Sequence, residues 1–502
     1  DVAAHITLAI LQIAENNLDG ALTTLQKALS IRKKDPVILR RLVDVASEKD
    51  DLPLARKYAR KLVEVEPRNA ANFRSYGIVL ELMGQPTAAI EQFLKADRIQ
   101  PGSADTLTRI GNCHSMKGDH AQAAEYFNKA LAVDRHNAFA LYGLANSKRF
   151  APDEADAFAA DAREACENPA YQSDKTALGN LIFSIGKVLD DAGRYDEAFA
   201  EFSLANTIRK PEKFASPMIE IDNTLDAFTA DILLALRRIG NPNDRPIFVC
   251  GMPRSGTTLT ESLLAAHSKV TAGDELFAMP TIAWSLGRQV AVPLTYRKKI
   301  AALTAQRLNE LGDEYLSAVS HVSGSTSRFT DKLPHNFLNI GLIDIIFPNA
   351  KIILCRRHPL DNCLSLFSNS MQQYHDAYRT DLPTLGLYYR QYCVLVDHWK
   401  KVLRGRFHEV FYEDLVANTE LNARSMIDHV GLEWEDTVMD RQDSQRSVRT
   451  LSVWQVRQPV YQSSKGKWRR YEKHLGPLIE AIGPYIESYE SELAALQGKD
   501  AA

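Results

Sequence analysis

Pro246-Ile-Phe-Val-Cys-Gly-Met-Pro-Arg-Ser-Gly-Thr-Thr-Leu259 decides how the second half of this chain folds. Residues 246–250 are a short apolar run rich in strand formers, which predicts a buried strand. Gly251-Met-Pro-Arg-Ser-Gly256 comes next, then Thr257, Thr258 and the helix-spaced Leu259, Leu263 and Leu264. A strand, a glycine loop and a helix in that order form a cradle for phosphate, because backbone N–H groups converge at the helix N-terminus.

Outward from this stretch the same alternation continues. Apolar strands are expected at Ile247–Cys250, Arg328–Asp331, Lys351–Cys355 and His408–Tyr412, with amphipathic stretches between them. That pattern predicts an α/β domain over 246–495 with a parallel sheet covered by helices on both faces. The loop spacing departs from the P-loop G-x-x-x-x-G-K-[ST] at a single position, where Thr257 replaces the lysine that reaches the β- and γ-phosphates of a nucleoside triphosphate. The substitution argues against a kinase using ATP or GTP and for a ligand with a shorter anionic tail. Arg254 supplies positive charge inside the loop instead.

The preceding part reads as a helical repeat. Ala55, Ala89 and Ala123 recur at the roughly 34-residue period of a tetratricopeptide (TPR) array. Phe93 and Phe127 follow four residues after two of them, and Gly77 and Gly111 precede by twelve. Small residues let the two helices of a unit approach, and the aromatic fills the space beside them. Ala21, Leu25 and Ala28 mark an earlier unit, and Gly186, Ala198, Phe202 and Ala205 a later one. Phe150-Ala-Pro-Asp-Glu breaks the phase, so a degenerate repeat or an extra helix is expected there. The TPR solenoid is assigned to 1–212, followed by a helical connector and linker over 213–245. Its concave face suits an acceptor protein or peptide, or the array acts as a scaffold or homodimerisation arm.

Composition bounds the function. The chain has 502 residues, 60 Lys and Arg against 63 Asp and Glu, and a net charge of −3. That balance carries no electrostatic footprint for nucleic acid. Its six cysteines are scattered without a C-x-x-C pair, which predicts reduced, mostly buried thiols and no metal site. No apolar run reaches membrane-spanning length and no signal peptide is visible, so a cytoplasmic location is expected. The first residue is Asp1, which leaves an N-terminal segment open.

Pro253-Arg-Ser-Gly-Thr-Thr258 after a buried strand resembles the 5′-phosphosulfate loop of sulfotransferases, which use 3′-phosphoadenosine 5′-phosphosulfate (PAPS) and release adenosine 3′,5′-bisphosphate. The resemblance extends across roughly 246–470 and is similar to the tyrosylprotein and TPR-linked sulfotransferases. It implies that Arg254, Ser255, Gly256, Thr257 and Thr258 hold the 5′-phosphate. Lys351-Ile-Ile-Leu-Cys-Arg-Arg-His-Pro359 runs a strand into two arginines and a helix. By resemblance Arg357 and Ser365 form the 3′-phosphate site, whereas Arg356 reads as a plain surface charge. Lys332, in a Lys-x-Pro segment at a predicted strand end, would stabilise the leaving group. Glu275, in Gly-x-Glu, matches the family's general base; Asp274 and His335 are alternatives, while His267 and His358 have local structural readings. Tyr412 matches a nucleotide-contacting tyrosine, with a core role as the alternative. Ser452 and Lys467 match a segment that folds over PAPS, Ser452 toward the sulfonate and Lys467 toward the 3′-phosphate. Trp468 is expected to anchor the final helix.

The expected activity is therefore transfer of the PAPS sulfuryl group to an acceptor hydroxyl. The acceptor is a protein tyrosine, or a carbohydrate or small alcohol. Leu276-Phe-Ala-Met279 replaces the arginine-bearing segment with which the tyrosylprotein enzymes grip acidic peptides, so the resemblance informs the donor side more than the acceptor side. A TPR scaffold with an inactive nucleotide-binding domain is the reading outside catalysis.

Overall fold

Alanines spaced for close helix packing dictate the first half of the molecule. Val2–Ala14 pairs with Leu18–Ile31, Pro36–Glu48 with Leu52–Val65, Ala70–Leu82 with Pro86–Ile99, and Ala104–Lys117 with His120–Val133. Asn17, Asp35, Asp51, Asn69 and Ser103 each accept a backbone N–H at the start of a helix, the side-chain types that satisfy its orphan donors. The computed structural model describes residues 1–211, 218–292, 294–323, 326–439 and 465–500. Ala55, Ala89 and Ala123 are fully buried. A Cβ at Gly77 would lie 2.5 Å from the Phe93 ring, and one at Gly111 2.7 Å from the Phe127 ring. Glycine is thus required at each crossing so that the aromatic can fill it.

The break in phase at residue 150 yields an extra helix pair of irregular spacing. Ala138–Ser147 is short, and Pro152–Cys166 follows it. Ala155 is buried whereas Ala157, the position in phase with Ala123, is exposed. Asp1–Gln172 forms one compact unit, and a second begins at Ser173.

The second unit opens on a further repeat-like pair, Lys175–Asp191 and Tyr195–Arg209. It keeps the repeat signature, since a Cβ at Gly186 would lie 2.5 Å from the Phe202 ring. Its polar contacts run to the sheet domain. Arg209 pairs with Asp376 at 2.9 Å with both side chains almost fully buried, and Asn206 donates to the Phe367 carbonyl at 2.7 Å. The connector forms helices Met218–Ala227 and Ala230–Arg237. The turn-rich stretch after it is held in place, because Asn241 N–H donates to the Ile346 carbonyl at 2.8 Å.

Among the described residues, five strands form one parallel sheet: β1 (Pro246–Gly251), β2 (Val270–Thr271), β3 (Arg328–Asp331), β4 (Lys351–Arg356) and β5 (His408–Phe411), in the order β2-β3-β1-β4-β5. The four predicted strands are present, with ends moved by at most one residue. β2 is additional, and two residues are too few to leave a periodic signal. β1 is buried along its whole length, as its unbroken apolar run requires. The chain winds from β1 to β3 on one side and to β4 on the other. The C-terminal ends of β1 and β4 therefore border the crevice at which open α/β sheets bind ligands.

The repeat packing generates a prediction. Phe127 is fully buried, between Gly111 and Gly143, so Phe127→Ala should destabilise the first unit by about 3–5 kcal/mol. All five tryptophans lie at or beyond residue 284. The four among the described residues, Trp284, Trp399, Trp434 and Trp468, belong to the second unit, so urea unfolding followed by far-ultraviolet circular dichroism should show an earlier transition while most of the tryptophan-fluorescence change stays in place.

Candidate functional site

Two loops meet where β1 and β4 end. Gly251 has φ +144°, and a Cβ there would lie 2.2 Å from the Cys355 carbonyl oxygen. Glycine is what allows the strands to run so close at this point. The loop then turns through Arg254 at φ +69° and Gly256 at φ +99° into the helix Thr257–Leu264. A left-handed non-glycine residue costs about 1–2 kcal/mol and gathers at functional sites. It is held here by contacts from the second loop: Arg357 Nη1 donates to the Arg254 carbonyl at 3.0 Å, and Asn362 Nδ2 to the Pro253 carbonyl at 3.0 Å.

The side chains converge in the same way. Arg254 Nε donates to Ser365 Oγ at 3.2 Å. The Arg357 guanidinium sits 4.8 Å over the ring of Tyr412. That ring also closes on the loop, since a Cβ at Gly256 would lie 2.7 Å from Tyr412 Cδ2. Tyr389 OH donates to the Arg357 carbonyl at 3.0 Å. Ser255, Thr257 and Thr258 are buried at the helix start, and Ser255 Oγ has no hydrogen-bond partner. A buried hydroxyl without a partner beside two arginines and a helix N-terminus fits a phosphate or sulfonate oxygen as its missing acceptor. The residues from Arg254 to Thr258, with Arg357, Ser365 and Tyr412, thus form one cluster.

Lys332 stands just beyond β3. It is completely buried, and its Nζ lies 3.2 Å from Glu275 Oε1, a carboxylate on a partly exposed side chain. Glu275 is carried by a turn after β2. Asp274 there has φ +56°, its carbonyl accepts Lys332 N–H at 2.9 Å, and a Cβ at Gly273 would lie 2.0 Å from the Thr330 carbonyl oxygen. The proposed base and the proposed leaving-group cation are therefore direct neighbours. Tyr374 faces the same charge: burial, then the Glu275 carboxylate, push its phenol upward.

The alternatives for the base have other surroundings. Burial lowers His335 to about 3, which leaves a neutral imidazole whose Nε2 lies 3.3 Å from Tyr378 OH. His267 packs locally, with Nε2 on the Glu433 carbonyl at 2.8 Å. His358 stacks on Trp468 with ring centroids 5.5 Å apart. Trp468 also ties its backbone N–H to Asp361 Oδ1 at 2.9 Å. Lys467 lies 2.6 Å from Asp190, as an ion pair between the segment 467–474 and the helix 175–191. Ser452 lies outside the described residues.

One expectation is corrected. Arg356 is not a surface charge: it is buried, bonded to Glu409 at 3.0 Å and Glu492 at 2.6 Å, and lies 5.0 Å over Phe411. Both acidic partners are far away in sequence, so nothing local announced them. Sequence reasoning also missed Glu261 and Asp331. Glu261 follows Thr257 and Thr260 on the buried face of its helix, and that i, i+3, i+4 spacing was the available signal. Burial raises Glu261 to about 7, opposed by the Lys332 charge, and raises Asp331 to about 8. Tyr315 OH donates to Asp331 Oδ2 at 2.8 Å and Asn336 Nδ2 to Oδ1 at 3.1 Å. Among the described residues no cluster of three or more His, Cys, Asp or Glu is placed to hold a metal ion, and no helix is long and apolar enough to cross a membrane.

A parallel sheet with a glycine loop and a helix start at its switch point defines a P-loop-like α/β domain. Residues 246–436 match the Sulfotransferase family and residues 104–137 the Tetratricopeptide repeat, so a region similar to sulfotransferases follows a TPR-like region in this chain. The chain is 34% identical over 336 residues to an uncharacterized protein of Aquifex aeolicus, covering 64% of this chain and 44% of that protein. It is 26% identical over 263 residues to protein-tyrosine sulfotransferase 2 of Gallus gallus, covering 48% of this chain and 70% of that protein. With protein-tyrosine sulfotransferase A of Caenorhabditis elegans the identity is 25% over 233 residues, 44% of this chain and 60% of that protein. The chain thus spans less than half the length of the Aquifex relative and less than two thirds of the nematode one.

The buried carboxyls predict a pH dependence. Unfolded, both titrate near pH 4; folded, Glu261 and Asp331 keep their protons until about 7 and about 8. Folding then takes up protons, so these groups make stability fall as pH rises between those limits. Asp331→Asn removes one such group. Urea unfolding followed by tryptophan fluorescence from pH 5 to 8 should fall less steeply with pH in the variant than in the wild type.

Proposed function

We propose that this protein transfers the sulfuryl group of PAPS to an acceptor hydroxyl, with a protein tyrosine as the acceptor class. The observation that carries the reading is the junction of two motifs about a hundred residues apart: Arg254 Nε on Ser365 Oγ at 3.2 Å, and Arg357 Nη1 on the Arg254 carbonyl at 3.0 Å. An adenosine donor phosphorylated at both the 3′ and 5′ positions calls for two anion sites on one rigid frame, and the ends of β1 and β4 supply that frame. The loop and helix start take the 5′-phosphosulfate; Arg357 and Ser365 take the 3′-phosphate, for which a guanidinium is suited.

As the acceptor oxygen attacks sulfur, Glu275 takes its proton, and the bond from sulfur to the bridging phosphate oxygen breaks. Lys332 and Arg254 stabilise the charge that accumulates on that oxygen and on the sulfonate. Attacking and leaving oxygens lie on opposite sides of sulfur, so the 3.2 Å pair between Lys332 and Glu275 opens when the substrates enter. Tyrosine as acceptor is supported by the names of the animal relatives, and the TPR array by its fold suits a protein partner. Lys467 reaches the 3′-phosphate only by leaving Asp190.

Glu275→Gln should bind adenosine 3′,5′-bisphosphate as the wild type does in titration calorimetry. Its transfer rate from PAPS should fall about 10²–10⁴-fold, the range for loss of a general base; transfer at the wild-type rate would refute the base. Arg357→Ala should weaken adenosine 3′,5′-bisphosphate far more than adenosine 5′-phosphate. Equal weakening of both would remove Arg357 from the 3′-phosphate site.

A further inference from the structure

Glu261 has no part in the chemistry just described, yet its position is unusual. It projects from the helix that starts at the anion loop, and it is almost fully buried. Its Oε1 accepts the Thr330 hydroxyl at 2.6 Å and the Asp274 backbone N–H at 3.1 Å. Thr330 Oγ1 in turn accepts the Gly273 backbone N–H at 3.0 Å. One carboxyl oxygen therefore ties together three elements: the helix of the anion loop, the end of β3, and the turn that carries Glu275.

That turn needs such a tie. Asp274 sits in the left-handed region, and Gly273 is pressed against the Thr330 carbonyl. Neither arrangement is favoured by the turn alone. The turn must also stay in place while the Glu275 side chain leaves Lys332 for the acceptor.

We propose that Glu261 is a positioning residue for the general base: through Asp274 N–H and Thr330 it fixes the backbone of the 273–275 turn relative to the anion loop, so that base and donor site keep one spacing. The inference rests on Glu275 as the base. Charged groups near Glu261 are Lys332, Asp274 and Asp331, with Glu275 paired to Lys332. A glutamine at 261 keeps an oxygen able to accept both hydrogen bonds, whereas an alanine keeps neither. This separates positioning from charge.

The experiment compares wild type, Glu261→Gln, Glu261→Ala and Thr330→Val. Hydrogen–deuterium exchange of the 270–277 peptide reads the turn directly. Titration with adenosine 3′,5′-bisphosphate reads the donor site, and turnover of PAPS with a Glu-Tyr-Glu peptide reads the chemistry. Glu261→Ala and Thr330→Val should lose protection at 270–277, with nucleotide affinity unchanged and turnover lowered by about 10²-fold, the cost of a misplaced group. Glu261→Gln should restore protection and most of the turnover. Unchanged protection at 270–277 in both Glu261→Ala and Thr330→Val overturns the proposal, as does a Glu261→Gln variant as defective as Glu261→Ala. A wild-type protein that does not bind the nucleotide or turn over PAPS would instead sink the donor reading, and the exchange comparison would still decide the tie.

Discussion

The second unit is arranged around one buried ammonium. Taking Lys332 out of water costs several kcal/mol even after relaxation, and the fold offsets this with the Glu275 carboxylate in direct contact. Glu261 and Asp331, whose own carboxyls burial pushes upward, also feel its charge. Supplying those groups fixes the neighbourhood. Thr330, Asp331 and Lys332 are consecutive residues, and each is held by a different element: the helix 257–264, the helix 305–318 through Tyr315, and the turn that carries Glu275. From Asp331 the polar chain continues through Asn336 and Asn339 to Arg288 and Glu220, which ties the connector helix into β3. A charge that must be kept dry has thereby become the point at which the site is rigid.

The helix pair 175–209 shows how one local rule serves two ends. Its glycine and phenylalanine pack as in the repeats before it, yet its outer faces carry Asn206, Arg209 and Asp190, which bond to the sheet domain and to the segment 467–474. Packing within the pair follows the repeat pattern. Its assignment to the second compact unit follows from side chains that the pattern leaves free to vary.

What the sequence revealed divides along the same line. The anion loop was legible because its chemistry is backbone chemistry, written in adjacent glycines and in the missing lysine at Thr257. The array was legible because Ala55, Ala89 and Ala123 recur in phase. The family was legible from two short motifs, at 253–258 and 357–365. Arg356 was misread because its partners Glu409 and Glu492 lie 53 and 136 residues away, and no local pattern encodes such a pair. Glu261 went unread because the spacing it shares with Thr257 and Thr260 involves polar residues on a helix of only eight residues, where a buried face is not marked by apolar side chains. Where Lys467 finds Asp190, the separation is 277 residues, and only the folded chain brings the two together.

The bond from Arg357 to the Arg254 carbonyl has a further consequence. On the proposed donor reading it couples the side chain assigned to the 3′ end of a nucleotide to the backbone of the loop assigned to its 5′ end, so the two anion contacts would not be independent terms in an affinity. Because one frame would receive both ends, the cost of immobilising the ligand is met once rather than twice. Half-ligands should therefore sum to less than the whole, and the distance between the two sites, set by hydrogen bonds between neighbouring strands, works as a ruler that admits nucleotides by length before it reads their charge.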